Sequence, residues 1–198
     1  MNLTIFQKEK IKALSKKDKS SKKTWDEKIK SLCDKINSMK EYYTTSSCSG
    51  RIILIKDSSK KKKNLILFRS HNKVRFAEIK KILEKIKKRN KNINFKQESC
   101  ILHVVCSNIK NAQMLVDKAR FAGWKRSGII ASRKRVVCEL VSTEHIEMPI
   151  IRKGRILVND SFLKILIEEA NRKLERSWKK IKKLEKLCGR QDSNLRRH

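Results

Sequence analysis

The stretch Thr44–Ile52, TTSSCSGRI, gathers groups that could hold a ligand: five of its first six residues carry a hydroxyl. Placed in a loop, successive small residues let backbone N–H groups converge on an anion, and hydroxyls add donors that rotate to fit. Gly50 allows close backbone approach, and Arg51 can fork onto a carboxylate or a phosphate. The same residues also suit a polar linker whose Ser and Thr side chains cap their own backbone. Asp26 is one of few acids in a basic neighbourhood. It could act as a general base, or it could complement the positive end of a helix.

His71 follows LILFRS, at a strand end where ligands are often met. His103 sits inside CILHVVC and shares a strand face with Ile101 and Val105, the usual setting of a packing residue. The histidines show no Ser-His-acid order and no metal constellation, so no metal is expected. Gly123–Ile129, GWKRSGI, sets an aromatic, two cations and a serine between two glycines. Lys125, Arg126, Ser127 and Gly128 suit phosphate contact, with Trp124 stacking on a base. A helix C-cap at Gly123 with Trp124 in the core is the other reading.

Elements must position these groups. Leu3 to about Leu14 reads as a first helix. Thr24-Trp25-Asp26-Glu27 reads as a capping box with Thr24 as N-cap, and Trp25, Ile29, Leu32, Cys33 and Ile36 share one face of the helix it opens. TTSSCSGRI would then be a loop joining that helix to a strand, RIILIKD. NLILFRS is a second strand, reached through an exposed lysine-rich hairpin loop. A helix follows over about Lys73–Arg89, then the strand CILHVVC, then a helix closing near Gly123. Strand candidates lie at Gly128–Ser132, Arg135–Val141, Ile146–Ile151 and Arg155–Val158. Asp160 to about Leu187 is a long helix with an apolar stripe. Strict βα alternation is absent, and no strand is followed by GxGxxG. The expected fold is therefore α+β, with a mixed sheet, flanking helices and no Rossmann cofactor loop. Residues 1–187 are expected to form one domain. Residues 188–198 break from the preceding composition; Asp-Ser-Asn-Leu-Arg is what the reverse strand of a tRNA T-arm would encode, so a disordered tail is expected there.

The chain has 198 residues and a formal charge of +32, from 52 Lys+Arg against 20 Asp+Glu. A polyanion partner is the direct physical reading of that excess, because each cation near a phosphate releases a condensed counterion. Lysine-filled solvated faces are the other source of it. No apolar run approaches the roughly 18–20 residues that span a bilayer. The start of the chain shows no apolar signal core, so a cytoplasmic protein without membrane contact is expected. Six cysteines show no CxxC pair and no zinc-ligand spacing, which points to reduced, buried thiols. Nothing in the sequence gives an oligomeric state.

Seven stretches in order resemble the tRNA wybutosine-synthesising protein 3 family in its archaeal form: KDKSSKKTWDE (Lys17–Glu27), TTSSCSGRI, FRSH (Phe68–His71), ILHVVC (Ile101–Cys106), AQMLVDKARFAGWKRSGI (Ala112–Ile129), VSTEHIEMPI (Val141–Ile150) and EEAN (Glu168–Asn171). The chain departs from the family pattern at Lys23, Trp25, Phe68 and Val141. The resemblance implies a non-Rossmann, S-adenosylmethionine-dependent methyltransferase. It would act on N4 of the tricyclic wyosine-type guanosine at position 37 of tRNA(Phe), gripping the anticodon arm. The motif residues that carry over are Asp26, Ser46, Ser47, Ser49, Gly50, Arg51, His71, His103, Ser127 and Gly128. Within that reading Asp26 and His71 are candidate catalytic residues. Ser46, Ser47, Ser49, Gly50, Arg51 and His103 are candidates for holding the cofactor, and Lys22, Lys125, Arg126, Ser127 and Gly128 for holding RNA. A non-catalytic tRNA- or rRNA-binding module is the alternative. A Ser-nucleophile hydrolase would need a His–acid pair that the sequence does not place.

Overall fold

A computed structural model describes residues 3–15, 26–58, 65–88 and 92–189. The Lys22 and Thr24 readings and the tail beyond Gly189 lie outside those residues. The described chain forms two compact units. The first takes the residues through Ser49, then Cys100–Thr143, then those from Trp178 onward; the second takes Gly50–Ser99 and Glu144–Ser177.

The first unit holds helices α1 (Ile5–Leu14), α2 (Glu27–Ser38) and α4 (Ile109–Phe121), and strands β1 (Tyr42–Cys48), β5 (Ile101–Cys106), β6 (Gly128–Ala131) and β7 (Val136–Val141). Its sheet runs β1-β5-β7-β6, with every pair antiparallel. Strand alternation sends Leu102, Val104, Cys106, Cys138 and Leu140 to one face. There they form a buried cluster with Ile29, Leu32 and Ile36 of α2 and Leu115 and Ala119 of α4. Thr4 caps α1 through a full capping box with Gln7. This helix buries none of its own residues; it sits at Tyr43, where the Phe6 ring lies tilted with its centroid 5.5 Å away and Glu9 links Tyr43 to Arg135.

The second unit holds β2 (Arg51–Lys56), β3 (Ile66–Ser70), α3 (Phe76–Lys87), β4 (Ile93–Glu98), β8 (Ile146–Arg152) and β9 (Arg155–Ile156), in sheet order β3-β2-β4-β8-β9. These pairs too are antiparallel. The last helix, α5 (Asp160–Cys188), gives Asp160–Ser177 to this unit and Trp178–Cys188 to the first. Leu163, Leu166, Ile167, Ala170 and Leu174 make its buried stripe within the second unit. No described helix is long and apolar enough to cross a membrane.

The α+β class and the long last helix are as expected. Three expectations change. The single mixed sheet resolves into two sheets, each antiparallel. TTSSCSGRI is mostly strand rather than loop: Tyr42–Cys48 pairs along β5, because aromatic and β-branched residues at its start favour a pleated surface. Strand β4 occupies a segment that the sequence left unassigned, with Ile93, Phe95 and Gln97 buried in alternation.

Candidate active site

Asp26 is the N-cap of α2, one position outside the helix, not a first-turn residue behind a Thr24 cap. Its Oδ1 accepts the N–H of Lys28 at 3.3 Å, which satisfies one of the helix's orphan donors. Its Oδ2 accepts the N–H of Ser49 at 2.8 Å, twenty-three residues on. The carboxylate thus joins the start of α2 to the end of β1. Ser49 is fully buried, and its Oγ has no hydrogen-bond partner. Gly50 follows with φ +98°, a left-handed conformation that favours glycine, and turns the chain from β1 into β2.

A bulge in β1 decides which hydroxyl faces which neighbour. Thr44 pairs with Val104, yet Ser46, not Thr45, pairs with His103. Thr45 is the extra residue, and its insertion moves Ser46 from the core face to the opposite one. Ser46 Oγ lies 2.7 Å from His103 Nδ1, and His103 Nε2 lies 2.9 Å from Glu139 Oε2. Ser46, His103, Glu139 and Gly128 are register partners in turn, so they form one row across four strands. The row ends in space: nothing lies within 4 Å of where a Cβ on Gly128 would sit. The His103 and Glu139 side chains are 27% and 37% exposed, so the pair is reachable from solvent. His103 is therefore a hydrogen-bonded member of a polar row rather than a packing residue. The serine-histidine-acid arrangement that the sequence failed to place is present, with Glu139 as the acid.

Ser47 points the other way. It pairs with Leu102 and hydrogen-bonds the Cys33 thiol, which burial pushes up to about 12. Thr44 is clamped by Asn37, whose Oδ1 accepts the Thr44 N–H and whose Nδ2 donates to Thr44 Oγ1. The hydroxyls of the stretch thus divide between the core side and the Ser46 row.

GWKRSGI resolves in favour of the cap. Gly123, φ +97°, closes α4 in a Schellman turn, with Trp124 N–H on the Ala119 carbonyl and Gly123 N–H on that of Arg120. Trp124 is fully buried and donates its Nε1–H to the Lys180 carbonyl at 3.2 Å, so it does not stack on a base. Ser127 is buried too; its Oγ donates to the Trp124 carbonyl at 2.6 Å and accepts the Val141 N–H. Only Lys125 and Arg126 of this turn stand exposed.

In the second unit, Arg51 pairs with Glu98 through its Nε. His71 follows Ser70, the register partner of Ile52, so His71 and Arg51 lie at the same end of the β2–β3 pair. Asn171 of the EEAN segment holds this end. It accepts the Val74 N–H at 3.0 Å and donates to the Val74 carbonyl at 2.9 Å, fixing the backbone three residues past His71.

Glu139 and Glu98 are the acids that the sequence reading missed. Each pairs across a strand register, and register is not visible in a single strand's composition. Their one signal was an acid within an otherwise apolar or basic strand.

Two sheets with every pair antiparallel set the described chain outside the parallel, Rossmann type of fold. The family profile described as Methyltransferase TYW3 matches residues 7–188, and the chain belongs to that family. It is 38% identical over 185 residues to the tRNA(Phe) 7-((3-amino-3-carboxypropyl)-4-demethylwyosine(37)-N(4))-methyltransferase of Thermococcus sibiricus, covering 91% of this chain and 92% of that one. It is 35% identical over 184 residues to the tRNA wybutosine-synthesizing protein 3 homolog of Danio rerio, covering 90% and 72%. Among solved structures, the PH1069 protein of Pyrococcus horikoshii superposes with a TM-score of 0.82 at 32% identity, over 91% of this chain and 92% of that one. The resemblance read from the seven stretches is borne out.

Proposed function

We propose that the protein transfers a methyl group from S-adenosylmethionine to N4 of a 4-demethylwyosine-type guanosine at position 37 of tRNA(Phe). The observation that carries this reading is near full-length similarity to archaeal proteins named for that reaction, with the family match spanning residues 7–188. The cofactor supplies the electrophile; the protein has to align sulfur, methyl and nitrogen and remove a proton.

Asp26 accepts the backbone N–H groups of Lys28 and Ser49, and in this reading it positions the Ser49–Gly50 turn. His71 is a proposed catalytic residue in contact with the substrate base. Arg51, Ser49 and Gly50 are proposed cofactor contacts. Lys125 and Arg126, exposed beside the α4 cap, are proposed phosphate contacts for the anticodon arm, where the chain's positive charge favours RNA.

Calorimetry with S-adenosylmethionine alone tests the cofactor half of the proposal. Saturable one-site binding is the expected result. Absence of binding, with and without tRNA(Phe), would leave the RNA-binding module as the better account.

A further inference from the structure

We propose that Ser46, His103 and Glu139 are the proton-accepting relay of the methyl transfer, with His103 as the terminal acceptor. This rests on the methyltransferase reading above and assigns it a base.

The donors and acceptors of the three side chains fix the direction of each bond. Glu139, as a carboxylate, can only accept, so His103 Nε2 carries the hydrogen of their 2.9 Å bond. In that tautomer Nδ1 is bare, and the 2.7 Å bond to Ser46 is then donated by the serine hydroxyl. With its own hydrogen committed to His103, Ser46 Oγ turns lone pairs outward. A hydroxyl in that state accepts a hydrogen bond from an N–H. It is poorly suited to a carboxylate or phosphate, which needs a donor.

A ring N–H meeting Ser46 completes the chain. The N–H proton passes to Ser46 Oγ as the Ser46 proton passes to His103 Nδ1. The electron pair left on nitrogen forms the bond to the methyl carbon. The methyl–sulfur bond breaks toward sulfur, and the sulfonium leaves as a neutral thioether. His103 ends as an imidazolium beside the Glu139 carboxylate and returns its proton to water, which its partial exposure allows.

Two further observations point the same way. The Thr45 bulge is what brings Ser46 onto the His103 face; in regular register Thr45 would pair with His103, and Ser46 would face the core side with Leu102. Gly128, at the end of the row opposite Glu139, leaves open the volume that a side chain would fill. Glu139 is a positioning residue: it fixes the tautomer and orientation of His103 and need not touch the substrate.

The test is single-turnover methylation of hypomodified tRNA(Phe) by wild type, His103→Ala, Glu139→Gln, Ser46→Ala and His71→Ala, with cofactor affinity measured for each. His103→Ala is expected to lose about 10²–10⁴-fold in rate, the usual worth of a placed base, with cofactor affinity within a few-fold of wild type. Added imidazole should restore part of that rate, a response that a merely structural histidine would not give. Glu139→Gln is expected to lower the rate without weakening cofactor binding. A His103→Ala variant that methylates at the wild-type rate overturns the proposal. So does one whose defect lies wholly in cofactor affinity, or imidazole rescue of His71→Ala instead. A wild-type protein that transfers no methyl group contradicts the underlying reading, not the relay alone.

Discussion

Replacing Asp26 should destabilise the first unit by an amount the geometry sets. Asp26→Ala removes the N-cap of α2, about 1 kcal/mol. It also strands the N–H of Ser49, a fully buried residue, at about 1–3 kcal/mol for an unsatisfied donor. The sum is roughly 2–4 kcal/mol, which for a chain of this length lowers Tm by roughly 5–15 °C. Asp26→Asn separates the two parts. Asparagine caps as well as aspartate, but its amide has one oxygen, so either Lys28 or Ser49 loses its acceptor. That variant should fall between wild type and Asp26→Ala. Circular dichroism through a urea titration reads the totals, and hydrogen exchange reads the Ser49 amide directly. If Asp26→Ala is within about 0.5 kcal/mol of wild type, or if Ser49 exchange is unchanged, the latch does not exist. The result bears on activity as well: lost turnover in Asp26→Ala has to be compared with a stability-matched variant before it is read as chemistry.

Trp124→Phe should cost about 1–3 kcal/mol, from the lost bond to the Lys180 carbonyl and the reduced volume, while tRNA affinity of the folded protein stays unchanged. A variant of full stability and weak tRNA binding would restore the stacking role. The Cys33 thiol, pushed up to about 12 from an ordinary value of 9.0 by burial, ionises in the unfolded chain before the folded one. Stability should therefore fall as pH rises through that window, by up to about 1.4 kcal/mol per pH unit from this group. Cys33→Ala should show a shallower alkaline decline in denaturant midpoint, and an identical slope would refute it. Replacing both Lys125 and Arg126 by alanine should weaken tRNA binding and reduce the dependence of log affinity on log salt by about 1–2. An unchanged salt slope would remove them from the RNA contact.

Long periodic elements were legible from residues alone. The α5 stripe, the α2 face and the strands RIILIK and ILHVVC announce themselves by spacing, because burial on one face leaves a period of 3.6 or 2. The misses share one cause. Tyr42–Cys48 and Ile93–Glu98 carry Ser, Thr, Asn, Lys, Gln and Glu, which look like loop until a partner strand supplies the hydrogen bonds. The residues to watch were mostly visible, but their jobs were not. Asp26, Ser47, Ser127 and Trp124 could be marked from their types and motifs. That Asp26 reaches Ser49, that Ser47 faces Cys33, and that Ser127 closes a turn are facts of register and capping. Glu139 carried only the weak mark of an acid within an apolar strand. Its meaning comes from lying beside His103, and a single bulged residue elsewhere completes the row.

The proposed reaction is methyl transfer to one nitrogen of one nucleoside. Incubating the protein with S-adenosylmethionine carrying a deuterated methyl group and hypomodified tRNA(Phe), then digesting to nucleosides for mass spectrometry, tests it directly. One labelled methyl on the tricyclic base at position 37 is expected, with fragmentation placing it on N4. An unlabelled nucleoside 37, or a label on another atom or position, would contradict it.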